Sequence, residues 1–172
     1  SRNWKSVASS ADGAKLVAAV AGGQLYTSTN YGSTWTARSG AANWTGVASS
    51  GNGNKLAATI NGGQIYTSTD SGVSWSPHGL IGAWNSVASS LDGVKLVAVV
   101  YGGQVYTSGS SGVSWTARDS NRNWIAVASS SNGSNLVAVV QGGQVHTSTT
   151  SGATWTAREN NRNWVAVASS AD

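Results

Sequence analysis

The chain contains no cysteine, which excludes disulfides and thiolate metal sites alike. It also lacks Phe and Met, has a single Pro, and carries only 9% charged residues. With Phe and Met missing, nine Trp are most of the large apolar groups available to fill a core. No apolar run approaches the roughly 20 residues of a membrane-spanning helix, and no charged-then-apolar leader precedes the first residues, so no membrane partner is expected. Ten cations against six acids give a net charge of +4, without any run of Lys or Arg. That spread argues against a nucleic-acid footprint. Composition leaves the compartment open, while a surface rich in Ser, Thr, Asn and Gly favours a secreted or cell-surface setting. Asn43-Trp44-Thr45 and Asn132-Gly133-Ser134 fit the glycosylation acceptor pattern, which acts only in a eukaryotic secretory pathway.

Against these absences stands a repeat. Trp4, Trp44, Trp84, Trp124 and Trp164 are spaced by 40 residues, and each opens the segment Trp-x-x-Val-Ala-Ser-Ser. Four units cover about 3–40, 43–80, 83–120 and 123–160, and the last 12 residues restart the unit in phase with the first 12. A unit of this length cannot bury its own apolar face and must stack on copies of itself. The in-phase ends and the missing initiator Met suggest an excerpt of a longer array. The close similarity of the units fits recent amplification or deliberate engineering.

The third unit shows the local pattern. Residues 84–90 alternate apolar and polar side chains, and Leu91-Asp92-Gly93 supplies a hairpin turn. Leu96-Val97-Ala98-Val99-Val100 is nearly all apolar, as expected of a strand covered on both faces. Gly102-Gly103 makes the next turn, 104–108 the third strand, and a loop at 109–112 leads to a fourth strand over 113–118. Four short strands in an antiparallel meander leave no room for a helix. The predicted class is all-β: a β-propeller of four-stranded antiparallel blades, with a β-solenoid as the alternative that the hairpin turns disfavour.

The loop before the fourth strand recurs in phase. It places Ser28, Asn30, Gly32 and Trp35 in the first unit, and Ser68, Asp70, Gly72 and Trp75 in the second. The third has Ser108, Ser110, Gly112 and Trp115, and the fourth Ser148, Thr150, Gly152 and Trp155. Ser and Asp side chains can hydrogen-bond the turn's own backbone, Gly permits a left-handed residue, and Trp buries a large ring. This pattern resembles the Asp-box, or BNR repeat, of sialidase-type propellers and their non-enzymatic relatives. Asp survives only at Asp70, but Asn30, Ser110 and Thr150 can still accept a backbone hydrogen bond. The resemblance implies that the box joins the third and fourth strands and that 4–10 is the innermost strand. It then leaves 163–170 as an extra inner strand with no blade of its own. That duplicated strand predicts a homo-oligomer, preferably a dimer forming an eight-bladed ring in which 163–170 enters the partner's first blade. The alternative is a monomeric ring with residues 3–10 displaced or paired at an edge.

Chemistry is sparse. A sialidase-like enzyme implies an arginine triad, a Tyr nucleophile with a nearby acid, a general acid and an Arg-Ile-Pro signature. The only proline is Pro77, and no Arg is followed by Ile-Pro. Asp12, Asp70 and Asp92 fall in turns, Asp119 and Glu159 follow the fourth strand, and Asp172 is terminal, so no pair of carboxylates is placed for acid and base work. His78 and His146 stand where other units have Arg and Tyr, without metal-ligand spacing. The Gly-Gly pairs precede strands rather than helix N-termini, so they are turns and not phosphate loops. A non-catalytic scaffold or binding module without metal or cofactor is expected. The alternative is a lectin-like glycan binder using Arg38, Arg118 and Arg158 with Trp44, Trp124 and Trp164 between blades. Against it stands the expectation that these Trp are core and that the Arg pair with Asp119 or Glu159 at the rim.

Overall fold

The computed structural model describes residues 2–171, which form strands and turns with no helix. Asp172 lies outside the described residues. Eleven strands are present: β1 (Trp4–Ser9), β2 (Leu16–Gly23), β3 (Leu25–Ser28), β4 (Thr36–Ala37), β5 (Ala42–Ser49) and β6 (Leu56–Ser68). β7 (Ser76–Ser89), β8 (Leu96–Ser108), β9 (Thr116–Ser129), β10 (Leu136–Ser148) and β11 (Thr156–Asn163) complete the set. They form one antiparallel sheet in the order β11-β10-β9-β8-β7-β6-β5-β2-β3-β4, with β1 on β2.

The expected meander is visible in the register. In the first repeat β1 pairs with β2, β2 with β3 and β3 with β4. In the third, Trp84 to Ser89 of β7 pair with Val100 to Leu96 of β8, and Val105 to Thr107 pair with Arg118 to Thr116 of β9. There the second and third strands are the two arms of one bent strand, β8, and the fourth runs on into the next opening segment as β9. The bend needs both glycines of the Gly-Gly pair. Gly102 has φ +72, a left-handed conformation, and a Cβ on Gly103 would lie 2.7 Å from Val100 Cγ1. One boundary differs from the sequence reading: the fourth strand begins at Thr116 rather than 113, because Val113 N is still donating to Ser110 O within the turn.

The core lies between repeats. Leu96 and Ala98 join Trp84 and Val87 against Ala57 and Ile65 of the repeat before, while Val97 and Val99 join Val105 against Trp124, Val127, Leu136 and Ala138 of the repeat after. The equivalent cluster between the first two repeats holds Val17, Ala19 and Leu25 against Trp44, Val47, Leu56 and Ala58. The apolar second strand is therefore covered on both faces because alternate residues serve successive interfaces. A ladder of backbone bonds links the repeats at intervals of 40 residues: Ala11 N to Gly51 O, Gly51 N to Leu91 O, Leu91 N to Ser131 O and Ser131 N to Ala171 O, each 2.7–2.8 Å.

The two ends of this stack differ from its middle. Trp4 is 48% and Val7 66% exposed, whereas Trp84 and Val87 are buried. β1 pairs with β2 alone, in the register by which β5 pairs with β6, so Trp4–Ser9 are not displaced from β2. Residues 164–171 are a correction to the expected strand over 163–170. Asn163 ends β11 opposite Gln141, and the following residues join no ladder. A strand needs a neighbour, and among the described residues no second strand pairs with this opening segment as β2, β6, β8 and β10 pair with the earlier ones. The segment nonetheless keeps its radial place: Ala171 O accepts from Ser131 N, and Trp164 Nε1 donates to Gly143 O at 2.9 Å. Lys5 and Ser6 share a central cavity with Thr45, Asn85, Ile125 and Val165, so all five opening segments surround one axis.

Candidate functional site

The box turns act as local staples. Gly32, Gly72, Gly112 and Gly152 donate their N–H to Ser28, Ser68, Ser108 and Ser148 Oγ at 2.8–3.0 Å. Thr34, Ser74, Ser114 and Thr154 donate N–H to the side chains of Asn30, Asp70, Ser110 and Thr150 at 2.9–3.0 Å, so the replaced Asp positions keep this bond. Trp75, Trp115 and Trp155 donate Nε1 to the Gly carbonyl of their own turn. The residue before each Gly is also left-handed, at Tyr31, Ser71, Ser111 and Ser151 with φ of 53–61°, which residue type alone did not indicate. These bonds hold the Asp70 carboxyl at about 2, with the Ser74 hydroxyl the largest cause. The Ser10 and Ser90 hydroxyls likewise lower Asp12 and Asp92 from the ordinary carboxylate range. These acids stabilise turns.

The cations lie in the clefts between repeats. Lys15, Lys55 and Lys95 each reach into the following repeat, where Nζ donates to Ser71, Ser111 and Ser151 Oγ at 3.1–3.3 Å. The sequence signal for this contact is the same 40-residue spacing. Arg38, Arg118 and Arg158 do not make the expected rim ion pairs. Each donates Nε to a Thr hydroxyl, of Thr27, Thr107 and Thr147, at 2.9–3.2 Å. Glu159 lies 3.6 Å from Arg162 instead, and Asp119 Oδ2 lies 3.6 Å from His146 Nδ1. Burial, reinforced by Arg122, outweighs Asp119 and lowers the His146 pKa, so the ring is neutral. It meets Trp124 edge-on at 4.9 Å, as Tyr26, Tyr66 and Tyr106 meet the Trp of their own repeats.

The sequence-predicted sugar site is assembled unequally. Trp44 and Trp124 are 3% and 0% exposed, so their faces serve the core rather than a surface platform. Arg118 lines a cavity of about 170 Å³ with Lys95, Thr107, Ser108 and Ser151, and no Trp. Trp164 lines the central cavity. Between the first two repeats Arg38 and Trp44 do share a cavity: Arg38, Trp44, Tyr66 and Trp75 line one of about 290 Å³. Among the described residues no group of three His, Asp or Glu could hold a metal ion.

No protein-family model matches the sequence, and no curated protein matches it significantly. Among solved structures, the chain is similar to YCF48 bound to a D1 peptide, with a TM-score of 0.70 and 18% identity over 91% of this chain and 54% of that one. It resembles the GH74 enzyme of Niastella koreensis at a TM-score of 0.70 and 28% identity, over 89% of this chain and 24% of that one. The nidogen–laminin complex gives a TM-score of 0.76 at 14% identity, covering 98% and 69%. The chain thus spans about half of YCF48 and a quarter of the GH74 enzyme. These neighbours are β-propellers, and the eleven-stranded antiparallel sheet without helices has the fold that they share.

Proposed function

We propose that the chain is a non-catalytic propeller module of the Asp-box kind, four blades and a fifth inner strand, that assembles with a second copy by blade stacking and strand exchange. The 40-residue ladder carries this reading, because its last bond, Ser131 N to Ala171 O, seats a fifth opening segment that joins no ladder among the described residues. Exposed apolar groups lie at both ends, Trp4, Val7 and Trp35 on the first blade and Val165, 86% exposed, on the extra segment, as well as along the middle repeats at Ile81 and Val113. In the exchanged dimer, 164–171 of one copy takes the edge of β2 in the other, where the nearly identical β1 sits here. Propeller neighbours that bind partners, a D1 peptide and laminin, support a binding scaffold. Locking of Asp12, Asp70 and Asp92 into turns supports the absence of catalysis, and hydrolysis of a sialoside reporter would overturn that part.

Native mass measurement tests the assembly. The full chain is expected as a dimer and a chain ending at residue 160 as a monomer; the same number of copies per particle for both would refute strand exchange. Carbohydrate binding is a second reading, favoured by one observation, the meeting of Arg38 with Trp44, Tyr66 and Trp75. Glycan-array binding lost on Arg38→Ala supports it, and binding unaffected by that change would place any site elsewhere.

A further inference from the structure

The opening Trp residues of the third and fourth repeats satisfy their buried indole N–H with a carbonyl four residues earlier: Trp84 Nε1 donates to Leu80 O at 3.1 Å and Trp124 Nε1 to Ser120 O at 3.4 Å. Trp44 has no such partner. Its Nε1 is buried without a hydrogen bond, although the ring is only 3% exposed. The equivalent carbonyl, Gly40 O, accepts from Ser39 Oγ instead.

The cause is local sequence. Gly79, Asp119 and Glu159 are left-handed at the position that Ser39 occupies without a positive φ, and β4 stops at Ala37 where the other fourth strands continue. Ala42 stands where Arg2 and Arg122 lie over Trp4 and Trp124, at 5.8 and 5.9 Å from the ring centroids. The opening and box Trp rings are 6.1, 6.2 and 6.4 Å apart in the first, third and fourth repeats, and the pair Trp44 and Trp75 is absent from this series. The space opened by these departures is the 290 Å³ cavity between the first two repeats.

Its chemistry is specific. Trp44, Tyr66, Trp75 and Ile60 supply apolar and aromatic walls, Arg38 is the sole charge, and the unpaired Trp44 N–H lies buried within the lining ring, a donor that an incoming acceptor must uncover. Arg38 uses Nε on Thr27, which leaves its terminal nitrogens to a ligand. A buried donor without an acceptor is costly, and an aromatic-lined pocket with a few convergent donors is the usual form of a small-molecule site. We infer that this cavity binds a small ring-shaped carboxylate: the ring lies among Tyr66 and Trp75, the carboxylate pairs with Arg38, and an acceptor atom takes the Trp44 N–H. The inference rests on the second reading above for the location of the site but is not confined to sugars, since aromatic acids and uronic acids share this chemistry.

The test titrates the full chain with benzoate, glucuronate and glucose while following the Trp44 indole N–H in nitrogen–proton spectra. Benzoate and glucuronate are expected to shift that resonance, with Arg38→Gln weakening both by about tenfold or more through loss of a charged hydrogen-bond partner. Ala42→Arg, which installs the residue found at 122, should abolish binding while the other indole resonances report an intact fold. A response to benzoate alone upholds the site and removes the sugar reading. A response to glucose equal to that for glucuronate, insensitive to Arg38→Gln, upholds the sugar reading and overturns the carboxylate. No response to any of the three overturns the inference.

Discussion

Burial divides the opening tryptophans into two kinds. Trp84 and Trp124 are among the largest fully buried side chains, whereas Trp4 is half exposed with Tyr26 at its edge. Trp84→Ala and Trp124→Ala should each destabilise the chain by about 3–5 kcal/mol, and Trp4→Ala by about 1–2, in denaturant titrations of the monomeric chain ending at residue 160. Titratable residues divide as clearly. Asp70 is held at about 2, below its unfolded value of about 3.9, so its contribution is complete above that value and fades as pH falls towards 2. Asp70→Asn should flatten this part of the stability profile. His146 is also lowered, so its neutral ring contributes fully above about pH 6.5 and the contribution is lost as pH falls below it. His146→Tyr, the residue of the other repeats, should remove that decline, as seen by comparing denaturation midpoints at two pH values.

At the scale of elements, the Gly-Gly bend is the most demanding feature. Gly103→Ala brings a Cβ to 2.7 Å from Val100 Cγ1 and should cost about 1–3 kcal/mol, while Gly109→Ala, which meets nothing within 4 Å, should cost little. Strand order, turns and the two-sided second strand were legible in the sequence because period two and Gly-containing turns are local properties. The left-handed Tyr31, Ser71, Ser111 and Ser151 were not, since nothing in those side chains announces a positive φ. The Lys contacts were legible only in retrospect. Lys15, Lys55 and Lys95 are followed in phase by Asn135, and Ser71, Ser111 and Ser151 are preceded in phase by Tyr31, so the two series share the 40-residue offset of their contacts. Arg38 and Trp44 were singled out by spacing, yet their cavity depends on the conformation of Ser39 and Gly40, which a single Arg-to-Ser-Gly-Ala-Ala stretch does not reveal.

For the whole molecule, the accessible surface of 7917 Å² is close to the roughly 7,900 Å² expected of a folded monomer of this size. Each internal interface is built from one apolar face of each neighbour. The claim that 164–171 is an inner strand awaiting the β2 edge of another copy is tested most directly by amide hydrogen exchange of that segment at rising protein concentration. Strand exchange predicts that amides in 165–169 pass from fast exchange to the slow exchange of β5 and β9 as the dimer forms. Exchange that stays fast at every concentration, with β1 protected throughout, would contradict it.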